Sequence, residues 1–171
     1  MRILIMLNAG VDPQAGVVPE YDGLVEVYYL FSDAGIEIVL AAPGGGSASQ
    51  SSGTESRRDD TNATQPLRRY NADRRARDVM NDLVDLADVC AEDFDAALYL
   101  RPQTFNGDAG IKDHAAVVVN QLLAAAKPVA VIGEPPARTW IEAGNGLLMI
   151  GHSSEALRLA ANFLLGAASD R

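Results

Sequence analysis

The apolar positions of this chain change period along its length, and the changes mark its elements. Residues 2–7, Arg-Ile-Leu-Ile-Met-Leu, are apolar at every position after Arg2. So short an unbroken run predicts a strand buried on both faces, the kind that parallel sheets contain. Val129-Ala130-Val131-Ile132 is a second such run, opened by Lys127-Pro128 and closed by Gly133. Further strands are predicted at 36–41, 95–100 and 147–150. Between them the period lengthens to that of a helix. Residues 22–34 carry a broad stripe that includes Leu24, Val25, Tyr28 and Phe31, and Gly35 stops it at the position where a positive φ costs glycine little. Helical spacing returns from Asp73 through Ala76, Val79, Met80, Leu83, Val84, Leu86 and Ala87. It returns again at 108–126, and finally from a cap at Ser153 or Ser154 to Gly166. Residues 47–71 are polar, with few large apolar side chains, and predict a long loop or mobile excursion.

Strands alternating with helices predict an α/β fold: one domain over 1–171, a flavodoxin-like three-layer sandwich with a mostly parallel sheet. Right-handed crossovers and a strand order of 2-1-3-4-5 follow. The switch point then falls between the first and third strands, and ligands bind beyond the carboxyl ends of such sheets. The loops 8–21, 101–106, 133–136 and 151–154 are the expected rim of a site.

Composition narrows the function. A net charge of −9 argues against nucleic acid and anionic membranes as partners. Half of the 14 basic residues are arginines between Arg57 and Arg77, but Glu55, Asp59, Asp60, Asp73 and Asp78 are interspersed, so this is a solvated surface and not a phosphate patch. No apolar run approaches the roughly 20 residues that span a bilayer, and the N-terminus reads as a first strand and not a signal peptide. The single cysteine, Cys90, excludes an internal disulfide and suits a cytoplasmic location. It precedes the third strand, at the amino end of the sheet, and reads as a passive, partly buried thiol. With two histidines and no paired metal-ligand spacing, neither a metal nor a cofactor is expected.

The chemistry-bearing residues gather at the predicted carboxyl edge. Arg101 and Glu134 end neighbouring strands. They either form an ion pair filling the edge, or Arg101 grips a carboxylate or phosphate in a bidentate fork while Glu134 acts as a general base. His152 follows the fifth strand, either as an acid/base partner of Glu134 or as a helix-capping or solvated residue. Asp22, with Glu20 and Tyr21, flanks the switch point, where acidic side chains at a helix start serve capping or catalysis. Gln103 and Gly133 complete the candidate ligand-binding set of Arg101, Gln103, Glu20, Tyr21 and Gly133. Gly44-Gly45-Gly46-Ser47 reads as a turn: it lacks the lysine of a phosphate-binding loop.

Four segments resemble the ThiJ/PfpI family of the class I glutamine-amidotransferase-like superfamily, closest to its glyoxalase and heat-shock-chaperone branch. They are 27–46, with its Ala-Ala-Pro-Gly-Gly turn; 86–97, Leu-Ala-Asp-Val-Cys-Ala-Glu-Asp-Phe-Asp-Ala-Ala; 127–132; and 146–163. The resemblance implies a homodimer and a cysteine nucleophile on a tight elbow after the fourth strand. It also implies a Gly-Gly oxyanion motif after the third strand and a glutamate early in the first helix. This chain has Gly133 at the nucleophile position, Arg101-Pro102 in place of the Gly-Gly, and Gly23 at the glutamate position, with Asp22 adjacent. Proline has no N–H to donate. The expectation is therefore a degenerate domain without cysteine-dependent catalysis, binding a small carboxylate or oxo compound or a partner protein. The alternative is a cofactor-independent hydratase, lyase or isomerase using Glu134, His152 and Asp22, with Arg101 as the anion anchor.

Overall fold

The computed structural model describes residues 1–7, 21–46, 64–100, 114–133, 145–151 and 153–169. In chain order its elements are β1 (Arg2–Leu7), α1 (Tyr21–Asp33), β2 (Glu37–Ala42), α2 (Gln65–Ala72), α3 (Arg74–Asn81) and β3 (Val84–Asp85). Two 3-10 turns follow (Leu86–Asp88 and Ala91–Asp93), then β4 (Ala96–Leu100), α4 (His114–Ala124), β5 (Val129–Ile132), β6 (Leu148–Gly151) and α5 (Ser154–Ser169). The sheet runs β3-β2-β1-β4-β5-β6 with every ladder parallel. The five predicted strands fall in the predicted order, and β3 adds a two-residue edge.

The unbroken apolar strands are explained by two cores. Side chains alternate across a strand. Ile3, Ile5 and Leu7 of β1 face a core built with α1, α2, α3 and α5. Leu4 and Met6 face a second core built with α4 and the 3-10 turns. Ile3, Leu4, Ile5 and Met6 are all fully buried, so a polar residue has no place at any of them. This is the three-layer sandwich expected from the pattern.

α1 and α4 end alike, on left-handed residues. At α1 the Ile36 N–H donates to Phe31 O and the Gly35 N–H to Ser32 O, both at 3.0 Å, with Gly35 at φ 72°. At α4 the Lys127 N–H donates to Leu122 O at 2.9 Å and the Ala126 N–H to Leu123 O at 3.1 Å. These are the paired bonds of a Schellman motif, in which glycine usually holds the left-handed position. Here Ala126 holds it, at φ 58°.

Three predicted boundaries are corrected. Residues 65–71, expected to lie in a long loop, belong to α2; 47–63 lie outside the described residues. α2 forms although mostly polar because Pro66 stands in its first turn, Tyr70 is buried and Leu67 packs against the core. Second, the helical period from Asp73 stops at Asn81 and does not reach Ala87. Leu83 exchanges backbone bonds with Gly46 at 2.9 and 3.1 Å, and Val84 and Asp85 pair with Ala41 and Ala42. Sheet pairing has overridden the local spacing. Third, α5 passes through Gly166, which keeps a helical φ and so provides no stop; Ser153 is its cap, its Oγ accepting from the Ala156 N–H at 3.2 Å.

The α2–α3 hairpin is fastened to α1 by a polar clasp. Tyr29 donates from its hydroxyl to Asp73 Oδ2 at 3.3 Å, and Asp73 Oδ1 caps α3 through the Ala76 N–H at 3.1 Å. Arg69 lies 3.9 Å over the Tyr29 ring and forks onto Asp33 at 2.6 and 2.7 Å. Burial first, then the neighbouring Asp73 charge, pushes the Tyr29 hydroxyl up to about 12. The Ala76 N–H holds the Asp73 carboxyl below its usual range.

Candidate functional site

The register aligns the carboxyl edge. Leu7 pairs with Leu100, Leu100 with Ile132, and Ile132 with Gly151. Four parallel strands thus end in one row. The described strands end there at Leu7, Leu100, Ile132 and Gly151, and Arg101, Gly133 and His152 are the residues that follow three of those ends in sequence.

Of the predicted site residues, Gly133 is fully described. It is buried, at φ 122°, and its N–H donates to Gly151 O at 2.8 Å. That φ belongs to a region side-chain-bearing residues rarely adopt. The N–H is committed to the sheet edge and not to a ligand. Tyr21 and Asp22 open α1. Glu134, His152, Arg101, Gln103 and Glu20 lie outside the described residues.

Gly23 in α1 lies against α5. A Cβ built there meets Leu157 Cδ2 at 2.9 Å. Leu157 sits in α5, packed against the α1-side core, and its methyl, the end of a flexible side chain, would shift to admit a Cβ at 23. Gly151, by contrast, is filled, because a Cβ there meets the Ala156 methyl of α5. Beside these contacts Arg158 ties α5 to α1, its Nε donating to Glu26 Oε1 at 2.8 Å.

The glycine turn after β2 holds no anion site. Gly44, Gly45 and Gly46 all have positive φ (77°, 60° and 103°). The Gly44 N–H donates to Asp85 Oδ1 at 3.1 Å, and the same oxygen accepts from the Ala87 N–H at 3.0 Å. These N–H groups hold Asp85 below the usual carboxylate range. The protein's own carboxylate takes the place an anion would take, as the reading of a plain turn requires.

Sequence reasoning missed a cleft of about 550 Å³ at the opposite end of the sheet, before β4 and β5. Val89, Cys90, Glu92, Gln121, Ala125 and Lys127 line it. Lys127 Nζ donates to Ala91 O at 3.0 Å and Glu92 O at 3.1 Å, clamping the turn to the start of β5. Cys90 is exposed, which corrects the expectation of partial burial: the 3-10 turns on either side bury Leu86 and Ala91 and leave the thiol outside. Lys127 was visible only as a strand opener, and no local spacing signals the cleft. Among the described residues no group of three His, Cys, Asp or Glu side chains is placed to hold a metal, and no helix is long and apolar enough to cross a membrane.

No family model matches the chain, and no curated protein matches it in sequence. Solved structures do match its fold. The protein APC35852 aligns at TM-score 0.60 and 12% identity over 99% of this chain and 98% of its own. DJ-1beta of Drosophila melanogaster aligns at TM-score 0.51 and 14% identity over 98% and 90%. Rapid Encystment Protein 24 kDa of Francisella tularensis aligns at TM-score 0.51 and 17% identity over 77% of this chain; the match spans 58% of that protein's length. At these identities the likeness shows the fold alone, an α/β sandwich on a parallel sheet like that of DJ-1beta.

Proposed function

We propose that this chain is a DJ-1-like domain that has given up thiol catalysis and uses the carboxyl edge of its sheet to bind a small carboxylate or oxo compound. One observation carries the reading. The two positions to which the resemblance assigns a nucleophile and a carboxylate are both glycines, so neither carries a side chain to do that work. A triad that loses its nucleophile loses most of its rate. What remains for chemistry is Arg101, the planar, permanently charged group suited to a bidentate anion, with Gln103, Glu20, Tyr21 and Gly133 as the other candidate ligand contacts. The glyoxalase and heat-shock-chaperone branch is the part of the family whose turns the chain resembles most.

The test is a thermal-stability screen against small oxoacids, aldehydes, carboxylates and phosphates, with Arg101→Ala in parallel. A ligand at 100 times its Kd adds about 2.7 kcal/mol, which for this size is about 5–10 °C. A shift present in the parent and absent in Arg101→Ala is expected. No shift across the panel overturns ligand binding and leaves a partner protein as the occupant.

The hydrogen bond between Gly133 and Gly151 favours a second reading. It joins the two strand ends whose next residues are Glu134 and His152, a pairing suited to acid/base work on the bound ligand, with Asp22 as a further carboxylate. Turnover of any screened oxoacid that Glu134→Gln abolishes and Arg101→Ala weakens is the outcome this reading requires.

A further inference from the structure

The cleft at the amino end of the sheet is formed by segments that the carboxyl-edge reading leaves without a role. Ala126 holds a left-handed turn at φ 58°, so the chain leaves α4 there and carries Lys127 toward the 3-10 turns before β4. Lys127 Nζ donates to Ala91 O at 3.0 Å and to Glu92 O at 3.1 Å, which fixes the two walls relative to each other. The residues on both walls are small: Ala87 and Ala91 on the turns, Ala124 and Ala125 on α4. They leave an opening of about 550 Å³, within the range of sites that hold small molecules, about 300–1,000 Å³.

Charge decides what fits. Lys127, Asp88 and Glu92 all line the cleft, yet no ion pair joins them. An ammonium carries three N–H donors, and Lys127 commits two of them to uncharged carbonyls. Its third N–H and its whole positive charge are left over. Among the described residues neither carboxylate has a hydrogen-bond or ion-pair partner. A ligand of one sign gains from part of this lining and is repelled by the rest, whereas a ligand carrying both signs gains from all of it. We propose that the cleft binds a small zwitterion of the α-amino-acid class. Its carboxylate takes the remaining N–H of Lys127, its ammonium meets Asp88 and Glu92, and its side chain lies against Val89 and the alanines.

The charge of the whole chain favours the same class. A body of net charge −9 repels a simple anion on approach, but an amino acid has no net charge to repel. Gln121, also on the α4 wall, adds an amide that can serve either end of the ligand. The cleft lies at the end of the sheet opposite Arg101, so occupancy here and at the carboxyl edge are separate events. Cys90 is the chain's single cysteine, is exposed and lines the same cleft. It has no part in the recognition, and its thiol reports whether the cleft is filled.

The test is isothermal titration of the full chain with leucine, methionine, glutamine and phenylalanine, together with the rate at which Cys90 reacts with a neutral aromatic disulfide reagent. Saturable binding of at least one amino acid is expected. At about ten times its Kd the Cys90 rate is expected to fall about tenfold. The N-acetyl and amide forms of the same amino acid each lack one charge, and each is expected to bind at least about tenfold more weakly, the loss of a hydrogen bond to a charged group. The double variant Asp88→Asn, Glu92→Gln keeps the shape of the walls and is expected to weaken binding by a similar factor. Asp78→Asn, on α3 and 70% exposed, removes a carboxylate elsewhere and is expected to leave binding unchanged. No saturable binding of any of these amino acids overturns the proposal. So does binding that the blocked forms match, that leaves the Cys90 rate unchanged, or that survives the double variant.

Discussion

Gly133→Ala tests whether the end of β5 has the backbone geometry assigned to it. At φ 122° a residue with a Cβ is strained by about 1–3 kcal/mol. The substitution keeps the N–H that Gly151 O accepts, so the cost is conformational and not a lost hydrogen bond. Against it stands a gain of about 0.4–1 kcal/mol, because alanine restricts the unfolded chain. The net expectation is a loss of about 1–2 kcal/mol. At this size each kcal/mol moves Tm by about 2–4 °C, so Tm should fall by about 2–8 °C. Gly166→Ala is the opposite control. Gly166 is helical, and a Cβ there meets nothing within 4 Å, so it should gain about 0.5–1 kcal/mol. Calorimetric scans of both variants against the parent give the comparison. A Gly133→Ala protein that melts higher than the parent, as Gly166→Ala should, would refute the positive φ and the elbow geometry with it.

Ala126→Gly should stabilise the chain by about 0.5–1 kcal/mol, since it removes the Cβ strain at φ 58° while keeping both Schellman bonds; a lower urea midpoint would contradict this. Tyr29, raised to about 12, keeps its proton in the folded state above the unfolded pKa near 10. Its contribution is therefore complete below about pH 10 and lost as pH rises toward 12, and Tyr29→Phe should show a smaller loss of stability over that window in pH-dependent urea titrations. Asp85 is held low by the Gly44 and Ala87 N–H groups, so its contribution is present above the unfolded carboxylate pKa near 4 and disappears as pH falls through the lower folded value; Asp85→Asn should flatten that acid limb. Cys90 should react with a thiol reagent in the native protein at close to the rate of the unfolded one, and Cys90→Ser should change stability by less than about 0.5 kcal/mol.

The sheet was legible because its signal is dense. β1, β4 and β5 are buried on both faces, which forces unbroken apolar runs that few other structures explain. Gly35 was legible as a stop because its φ of 72° requires it. α2 was not, since its attachment rests on Tyr70, Leu67 and the Arg69 clasp, and only the fold brings their partners together. Leu83 and Val84 were misread because the edge pairing that straightens them is with β2 and Gly46, some 40 residues away in sequence. The glycines at 23 and 133 were readable as departures from the family pattern. That Leu157 packs against the first of them was not readable, because Gly23 and Leu157 are distant in sequence and no local rule links α1 to α5. The cleft beside Cys90 was invisible for the same reason.

The exchange of backbone bonds between Gly46 and Leu83 has a consequence for how this chain tolerates change in length. Gly46 is clamped on one side of residues 47–63, and α2 is clasped to α1 on the other. The ends of that segment are therefore fixed whatever lies between them. Closing a loop costs free energy only as the logarithm of its length, about 0.6 kcal/mol for each doubling. A tag, a reporter or an entire second domain spliced between these two fixed ends is expected to leave the sheet in place. The same extension placed between β5 and β6 would act on the carboxyl edge itself.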